Sequence, residues 1–310
     1  MSPLHPALSD YLTIRRALGY KLARAEKLLG QYLDYLEEHG ERLITVENAV
    51  AWATLPAEGN PNWWAYRLTC VRGFAKYLHA LDPSHQVPPA DVVPHKPRRA
   101  TPFLYSDEEI LALIAASGAL RFPLRRATYR TLIGLLSVTG MRVGEAIRLD
   151  NNDLDLKHGV LTVRETKFGK TRELPLHSST VDALAAYLRL RDQLCPEPRV
   201  DAVFITPVGT RLLYCGVNWT FLQLVERAGL KPRSARCRPR LHSLRHSFAV
   251  RTLLDWYRDG LEVQPRLPLL STYLGHVHPR DSYWYLEAAP ELLGIAADRL
   301  EHSQDEEGQR

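Results

Sequence analysis

One stretch decides how this chain can be divided: QVPPADVVPHKPRRATP, residues 86 to 102, which carries five prolines and a basic tail. Each proline fixes φ, removes an amide donor and steers the preceding residue away from helix. Such a stretch cannot run as a helix or a central strand and reads as an extended spacer. A linker over residues 88 to 101 therefore separates an N-terminal part, 1 to 87, from a larger part, 102 to 310. Each is long enough for its own core.

The N-terminal part reads as helical. KLARAEKLLGQYLDYLEEHG places Leu28, Leu29, Tyr32 and Leu36 at three- and four-residue spacing and stops at Gly40. NPNWWAYRLTCVRGFAKYLHAL opens with Asn60-Pro61, a cap followed by proline at the first helical position, and aligns Trp64, Leu68, Val71 and Leu78. Lys21, Arg24, Lys27, Arg67, Arg72 and Lys76 are scattered along these helices, where the bland reading is a solvated surface.

In the larger part, Ser106 and Glu109 have capping-box spacing before a helix that ends at Gly118, and a long apolar helix runs through RTLIGLLSVTG. GVLTVRETKFGKTRELPLH then switches to alternation, Leu161 and Val163 before a Lys-Phe-Gly-Lys turn and Leu174 and Leu176 after it, which predicts a β-hairpin. Helices resume near residue 179, apart from a short AVFIT strand, and EHSQDEEGQR is a polar tail. The fold class expected is mainly α with a small antiparallel β-sheet.

Charge is concentrated rather than large. The net formal charge is +5, yet residues 227 to 251 carry eight Lys or Arg and no acid. Such a run calls for an anionic partner, and a phosphate backbone fits, with a loose basic loop as the plain alternative. Apolar periodicity at Leu241, Leu244, Phe248 and Val250 argues for structure there. The four cysteines, Cys70, Cys195, Cys215 and Cys237, show no Cys-x-x-Cys pair, so neither a structural zinc site nor a disulfide framework is indicated. With no signal pattern and no membrane-length apolar run, the expectation is a reduced, cytoplasmic protein with no membrane association.

Several residues have the chemistry for phosphate work. Arg142 and Glu145 are three apart at the start of MRVGEAIRL, so the carboxylate can hold the guanidinium. Read singly, that is a surface ion pair of small worth. His242 and Arg245 are also three apart, inside the basic run, and read singly are structural. Lys167 lies at the hairpin tip, and LSTYLGHVHPRDSYWYLEAAPELL, 270 to 293, holds His276, His278, Tyr273, Tyr283 and Tyr285.

Taken in order, TGMRVGEAIRL, TKFGKTRELPL, LHSLRHSFAV, LGH and a downstream tyrosine resemble the tyrosine recombinase (phage integrase) family over about residues 102 to 295. The resemblance implies a helical core-binding, DNA-binding domain joined to a catalytic domain in a C-shaped clamp around double-stranded DNA. Strands would be cut and rejoined through a 3′-phosphotyrosyl intermediate. It assigns Arg142, Lys167, His242, Arg245 and His276 to catalysis, with Glu145 supporting Arg142. Xer-type members place the nucleophile nine residues after the LGH histidine, which here is Tyr285; Tyr283 falls two short and Tyr273 precedes the histidine. Lys170 and His278 are lesser rivals to Lys167 and His276, and the segment between Arg245 and His276 is longer than in Xer-type members.

The chemistry suits these residue types. A covalent tyrosine link conserves the energy of the phosphodiester, two planar arginines stabilise a pentavalent phosphate, and a lysine can protonate the departing 5′-oxygen. Neither metal nor cofactor is called for. The resemblance further implies a homotetramer, or a hetero-oligomer with related recombinases, with APELLGIAADRL, 289 to 300, docking on a neighbour or on its own domain. DSYWYLEAAPELL resembles integrases of transposons and other mobile elements more than housekeeping Xer proteins, so the resemblance implies a mobile-element integrase or transposase. Competing readings are a type IB topoisomerase, a DNA-binding accessory factor on a recombinase scaffold, and a metal-dependent nuclease.

Overall fold

The computed structural model describes residues 4–55, 60–93, 101–164 and 171–276, together with His278, Ser282, Tyr283, Tyr285 and Leu286. Lys167, Lys170, residues 94 to 100 of the proline-rich linker and the apolar segment at 289 to 300 lie outside these residues. The chain divides into two compact units, Met1–Arg99 and Ala100–Arg310.

Among the described residues the first unit holds four helices, α1 (Leu4–Ala17), α2 (Ala23–Glu38), α3 (Val46–Thr54) and α4 (Pro61–Leu81). Helix α4 begins as its sequence predicts: the Asn60 side chain accepts from Asn62 N–H at 2.9 Å and Pro61 takes the first turn. The stripe along α2 fills the core, with Leu29, Tyr32 and Leu36 inaccessible to water. Tyr32 resolves the polarity of its burial by donating to Asn48 Oδ1 at 2.7 Å. One of the α4 cations is not solvated. Arg67 is 8 % exposed and lies 3.8 Å above the Trp52 ring, its guanidinium donating to Trp52 O at 2.7 Å.

The second unit holds α5 (Asp107–Ala116), α6 (Pro123–Thr139), α7 (Val143–Arg148), β1 (Leu154–Asp155), β2 (Val160–Val163), β3 (Arg172–Pro175), α8 (Ser178–Leu194), α9 (Tyr214–Arg227), α10 (Leu241–Arg258) and α11 (Leu267–Leu274). The sheet is antiparallel in the order β1-β2-β3, with Leu161 opposite Leu174. Both leucines are fully buried, as the alternating pattern requires. The capping box at Ser106 and Glu109 is formed in both directions.

AVFIT, expected as a strand, forms none. Residues 202 to 205 make only isolated bridges, Asp150 with Ala202 and Ile205 with Arg211, though all four side chains are buried. Their carbonyls turn to side chains instead, Ala202 O and Val203 O accepting from Arg191 and Val203 O also from Tyr187. Complete apolar burial imitates a central strand without the neighbouring chain that would make one. The described cysteines are free thiols, and among the described residues no helix is long and apolar enough to cross a membrane.

A smaller core cluster joins α10, α11 and Tyr285. It lies beside the C-terminus of α6, and there the singled-out residues converge.

Candidate active site

Two helix ends build the site. Helix α6 stops at Gly140 with φ +59°, and α11 stops at Gly275 with φ +69°, both in the left-handed region that favours glycine. Neither position has room for a side chain. A Cβ at Gly140 would come within 2.3 Å of the Phe248 ring, and one at Gly275 within 2.8 Å of the Arg172 guanidinium. The glycines of the TG and LGH motifs are therefore needed for close packing as well as for the turn.

The carbonyls at these ends hold arginines. Arg245, on α10 and 2 % exposed, donates to Gly140 O at 2.9 Å and to Leu274 O at 2.7 Å. Arg142, at the cap position before α7, donates to Gly275 O at 3.2 Å and to Glu145 Oε1 at 2.8 Å. Helix C-termini leave unsatisfied carbonyls carrying partial negative charge, so guanidiniums are suitable partners.

Glu145 is buried to 3 % and is more than a surface partner. Its Oε2 accepts the Arg142 backbone N–H at 2.9 Å and Arg172 Nη2 at 2.8 Å. Burial alone would raise this carboxyl. The hydrogen bonds and charge of Arg172, reinforced by Arg142, outweigh it and hold the pKa at about 2. Arg172 was not singled out in the sequence, where it is one of 40 basic residues.

Tyr285 is 2 % exposed and hydrogen-bonds the Arg245 side chain. Its ring stacks on His276, centroids 5.9 Å apart and planes at 21°, and is 5.5 Å from His246. His276 Nδ1 pairs with the Oγ of fully buried Ser282 at 2.8 Å. His246 meets His242 edge-on at 4.7 Å. Tyr283, by contrast, is 46 % exposed, and Tyr273 stacks on Phe248, so neither stands where Tyr285 does. His278 is exposed.

The electrostatics are set by crowded positive charge. Burial lowers Arg245 to about 10; Tyr285 and Glu145 oppose that and Arg142 adds to it, leaving the guanidinium charged at neutral pH. Burial, then His242, Arg245 and His276, holds His246 down to about 3. His242 keeps a solvent-facing surface, yet the protein packed around its ring, then Arg245 and Arg142, holds it well below the ordinary histidine value. Both rings are neutral at pH 7 and can accept a hydrogen bond or a proton.

Of the residues expected from sequence, Arg142, Glu145, His242, Arg245, His276 and Tyr285 are thus gathered in one place, while Lys167 falls outside the described residues. Arg172, His246 and Ser282 join them unannounced. Two signals were present in the sequence: His246 adjoins Arg245, and Ser282 is one helical turn before Tyr285.

The phage integrase family matches residues 104–291. An integrase/recombinase of Sinorhizobium fredii, y4rB, is 43% identical over 309 residues, covering 97% of this chain and 98% of that one. The Tn1549 transposon integrase in complex with transposon right end DNA superposes with a TM-score of 0.64 at 16% identity, over 95% of this chain and 99% of that one. A lambda integrase from a tetramer bound to a Holliday junction gives 0.60 at 20% identity, over 91% of this chain and 76% of that one. At such identities the structural likeness speaks for the fold alone. The matched segment and the near full-length relative carry the assignment: the chain belongs to the phage integrase family, the tyrosine-type site-specific DNA recombinases.

Proposed function

We propose that this chain recombines DNA at a specific site by cutting and rejoining strands through a 3′-phosphotyrosyl bond to Tyr285. The observation that carries the residue assignment is the Tyr285 hydroxyl on the Arg245 guanidinium, with Arg142 bound to the same helix end. A scissile phosphate held by two guanidiniums would lie within reach of that hydroxyl.

In this reading the Tyr285 oxygen bonds to phosphorus and the 5′-oxygen bond breaks. The tyrosine proton passes to a neutral imidazole, His242 being placed to take it or to contact the phosphate. Lys167 gives a proton to the departing 5′-oxygen. Arg142 and Arg245 take up the charge on the non-bridging oxygens, where preorganised donors contribute most. His276, stacked on Tyr285, aims the ring and binds a phosphate oxygen. Reversal with a different 5′-hydroxyl reseals the strand. Glu145 holds Arg142 throughout.

The N-terminal helical unit, read as 1–87, would bind DNA beside the catalytic unit, read as 102–310, in a clamp. The assembly on DNA would be a homotetramer or a hetero-oligomer with related recombinases, in line with the lambda integrase that binds a Holliday junction as a tetramer. Likeness to an integrase/recombinase and to a transposon integrase favours a mobile-element role. It does not favour the accessory-factor or topoisomerase readings. The test is a detergent-stable protein–DNA adduct on nicked duplex made from DNA recovered with the protein. Such an adduct, absent in Tyr285→Phe, is the expected result; tight binding with no adduct would refute the reading.

A further inference from the structure

The end of α11 does more than hold the two arginines expected from sequence. Three consecutive carbonyls each accept from a different guanidinium: Tyr273 O from Arg172 Nε at 2.8 Å, Leu274 O from Arg245 at 2.7 Å, and Gly275 O from Arg142 at 3.2 Å. Arg172 comes from β3, Arg245 from α10 and Arg142 from the start of α7, so one helix terminus gathers three elements far apart in sequence. These are the carbonyls a helix leaves without intrahelical partners, and each would otherwise be costly to bury.

Arg172 differs from the other two. Its side chain is only 11% exposed, and its planar fork is committed: Nη2 to Glu145 Oε2 at 2.8 Å, Nη1 to Glu145 Oε1 at 3.3 Å, Nε to Tyr273 O. All three of its nitrogens already donate, so the plane of the fork is fixed on Glu145 and the end of α11. It also fills the space over Gly275, immediately before His276. Glu145 is consequently shared, with one oxygen bridging Arg172 and Arg142. We propose that Arg172 is a positioning residue: it fixes the Glu145 carboxylate against the end of α11 and thereby sets where the Arg142 guanidinium points. The inference rests on the proposed role of Arg142 at the scissile phosphate.

The geometry explains why an arginine is needed. A lysine could neutralise Glu145 but could not grip both carboxylate oxygens and a carbonyl in one plane. From the start of β3, which pairs with β2, the same side chain also ties the sheet to Glu145, the partner of Arg142, and to the turn before His276.

The experiment is single-turnover cleavage of the nicked duplex at saturating protein, from pH 5.5 to 8, for wild type, Arg172→Lys, Arg172→Gln and Arg172→Gln/Glu145→Gln. The charged and titratable groups facing Glu145 are Arg142 on its own element, Arg172 from β3, and His242 and Arg245 from α10. With Arg172 in place Glu145 stays ionised across the range. In Arg172→Gln cleavage should fall about 100-fold, the scale of a misplaced catalytic group. The rate should drop further towards pH 5.5 as Glu145 protonates, while DNA affinity stays near wild type. The double variant should lose that acid limb. Arg172→Lys should cleave about tenfold slower with a flat profile, and it serves as the test if the glutamine variant does not fold. A wild-type rate in Arg172→Lys together with a wild-type profile in Arg172→Gln would overturn the inference. So would a uniform loss at all pH values with no acid limb. No adduct from wild type would instead count against Tyr285 chemistry itself.

Discussion

Among the described residues three arginines are buried, Arg67 in the N-terminal unit and Arg191 and Arg245 in the catalytic one, and the burials of Arg67 and Arg245 differ in kind. Arg67 in the N-terminal unit has one carbonyl partner, Trp52 O, and the face of the same tryptophan; among the described residues it has no carboxylate. Its Nε is without a hydrogen bond among the described residues. Arg245 in the catalytic unit has carbonyls on two helix ends, the Tyr285 hydroxyl, and the fields of Arg142 and Glu145. Around Arg67, Tyr32, Tyr66 and Cys70 are displaced chiefly by burial and not by its charge; around Arg245, His242 and His246 are displaced by its charge as well as by burial, and Glu145 is held by Arg172 and Arg142. A buried cation alone marks packing. A buried cation at the centre of several displaced titrations marks a place where charge is meant to arrive.

Replacing each arginine by methionine sharpens this contrast most. Arg245→Met should cut single-turnover cleavage by about 10³-fold, the cost of losing a preorganised donor to the transition state. Arg67→Met should leave cleavage at saturating DNA unchanged. Both should alter stability by only about 1–3 kcal/mol, because a desolvated charge is removed as its carbonyl partners are left unsatisfied. Slow cleavage in Arg67→Met under those conditions would break the comparison.

The helix-end cradle has no counterpart at Arg67, and Gly275→Ala tests it. The added Cβ faces a left-handed φ and the Arg172 guanidinium at 2.8 Å. Cleavage should fall about 100-fold, with a smaller loss in DNA affinity by gel shift. A smaller effect is expected at Ser282. Removing its hydroxyl in Ser282→Ala releases His276 Nδ1 and should slow cleavage about tenfold, on the scale of lost second-layer support. Unchanged kinetics would show that the pairing does not aim His276.

The smallest effect is on stability. His246 is held at about 3, below its ordinary value, so the unfolded chain binds protons that the folded chain does not. Its contribution is complete above about pH 6.5 and is lost progressively as pH falls towards 3. Glu145, held at about 2, loses its contribution in the same direction at lower pH. The urea midpoint of the full chain should therefore decline between pH 6.5 and 4.5, and His246→Gln should flatten that decline. A midpoint rising with acid would contradict the burial of a neutral ring.

Much of the scaffold was legible because local signals and burial agreed. The Asn60 cap, the Ser106 capping box and the Leu161–Leu174 pairing each follow from spacing that the fold uses directly. AVFIT misled because full burial looks alike in a strand and in a loop threaded through a core. Arg67 misled because helical charges are ordinarily solvated, and it takes the ring and the carbonyl of Trp52 on α3 to make its burial tolerable. Within the site, the motif order pointed to six of the gathered residues, whereas Arg172 was invisible. Its role arises from partners 27 residues before it and 101 after it, a convergence that no local spacing encodes.

Tyr285 against Tyr283 remains the sharpest question the sequence raised, and the structure separates them by burial and by contact with Arg245. Peptide mass spectrometry of the detergent-stable adduct tests the account most directly. A nucleotide-modified peptide carrying the mass on Tyr285, and no adduct from Tyr285→Phe, is the result predicted. Modification of Tyr283, or an adduct that persists in Tyr285→Phe, would contradict it.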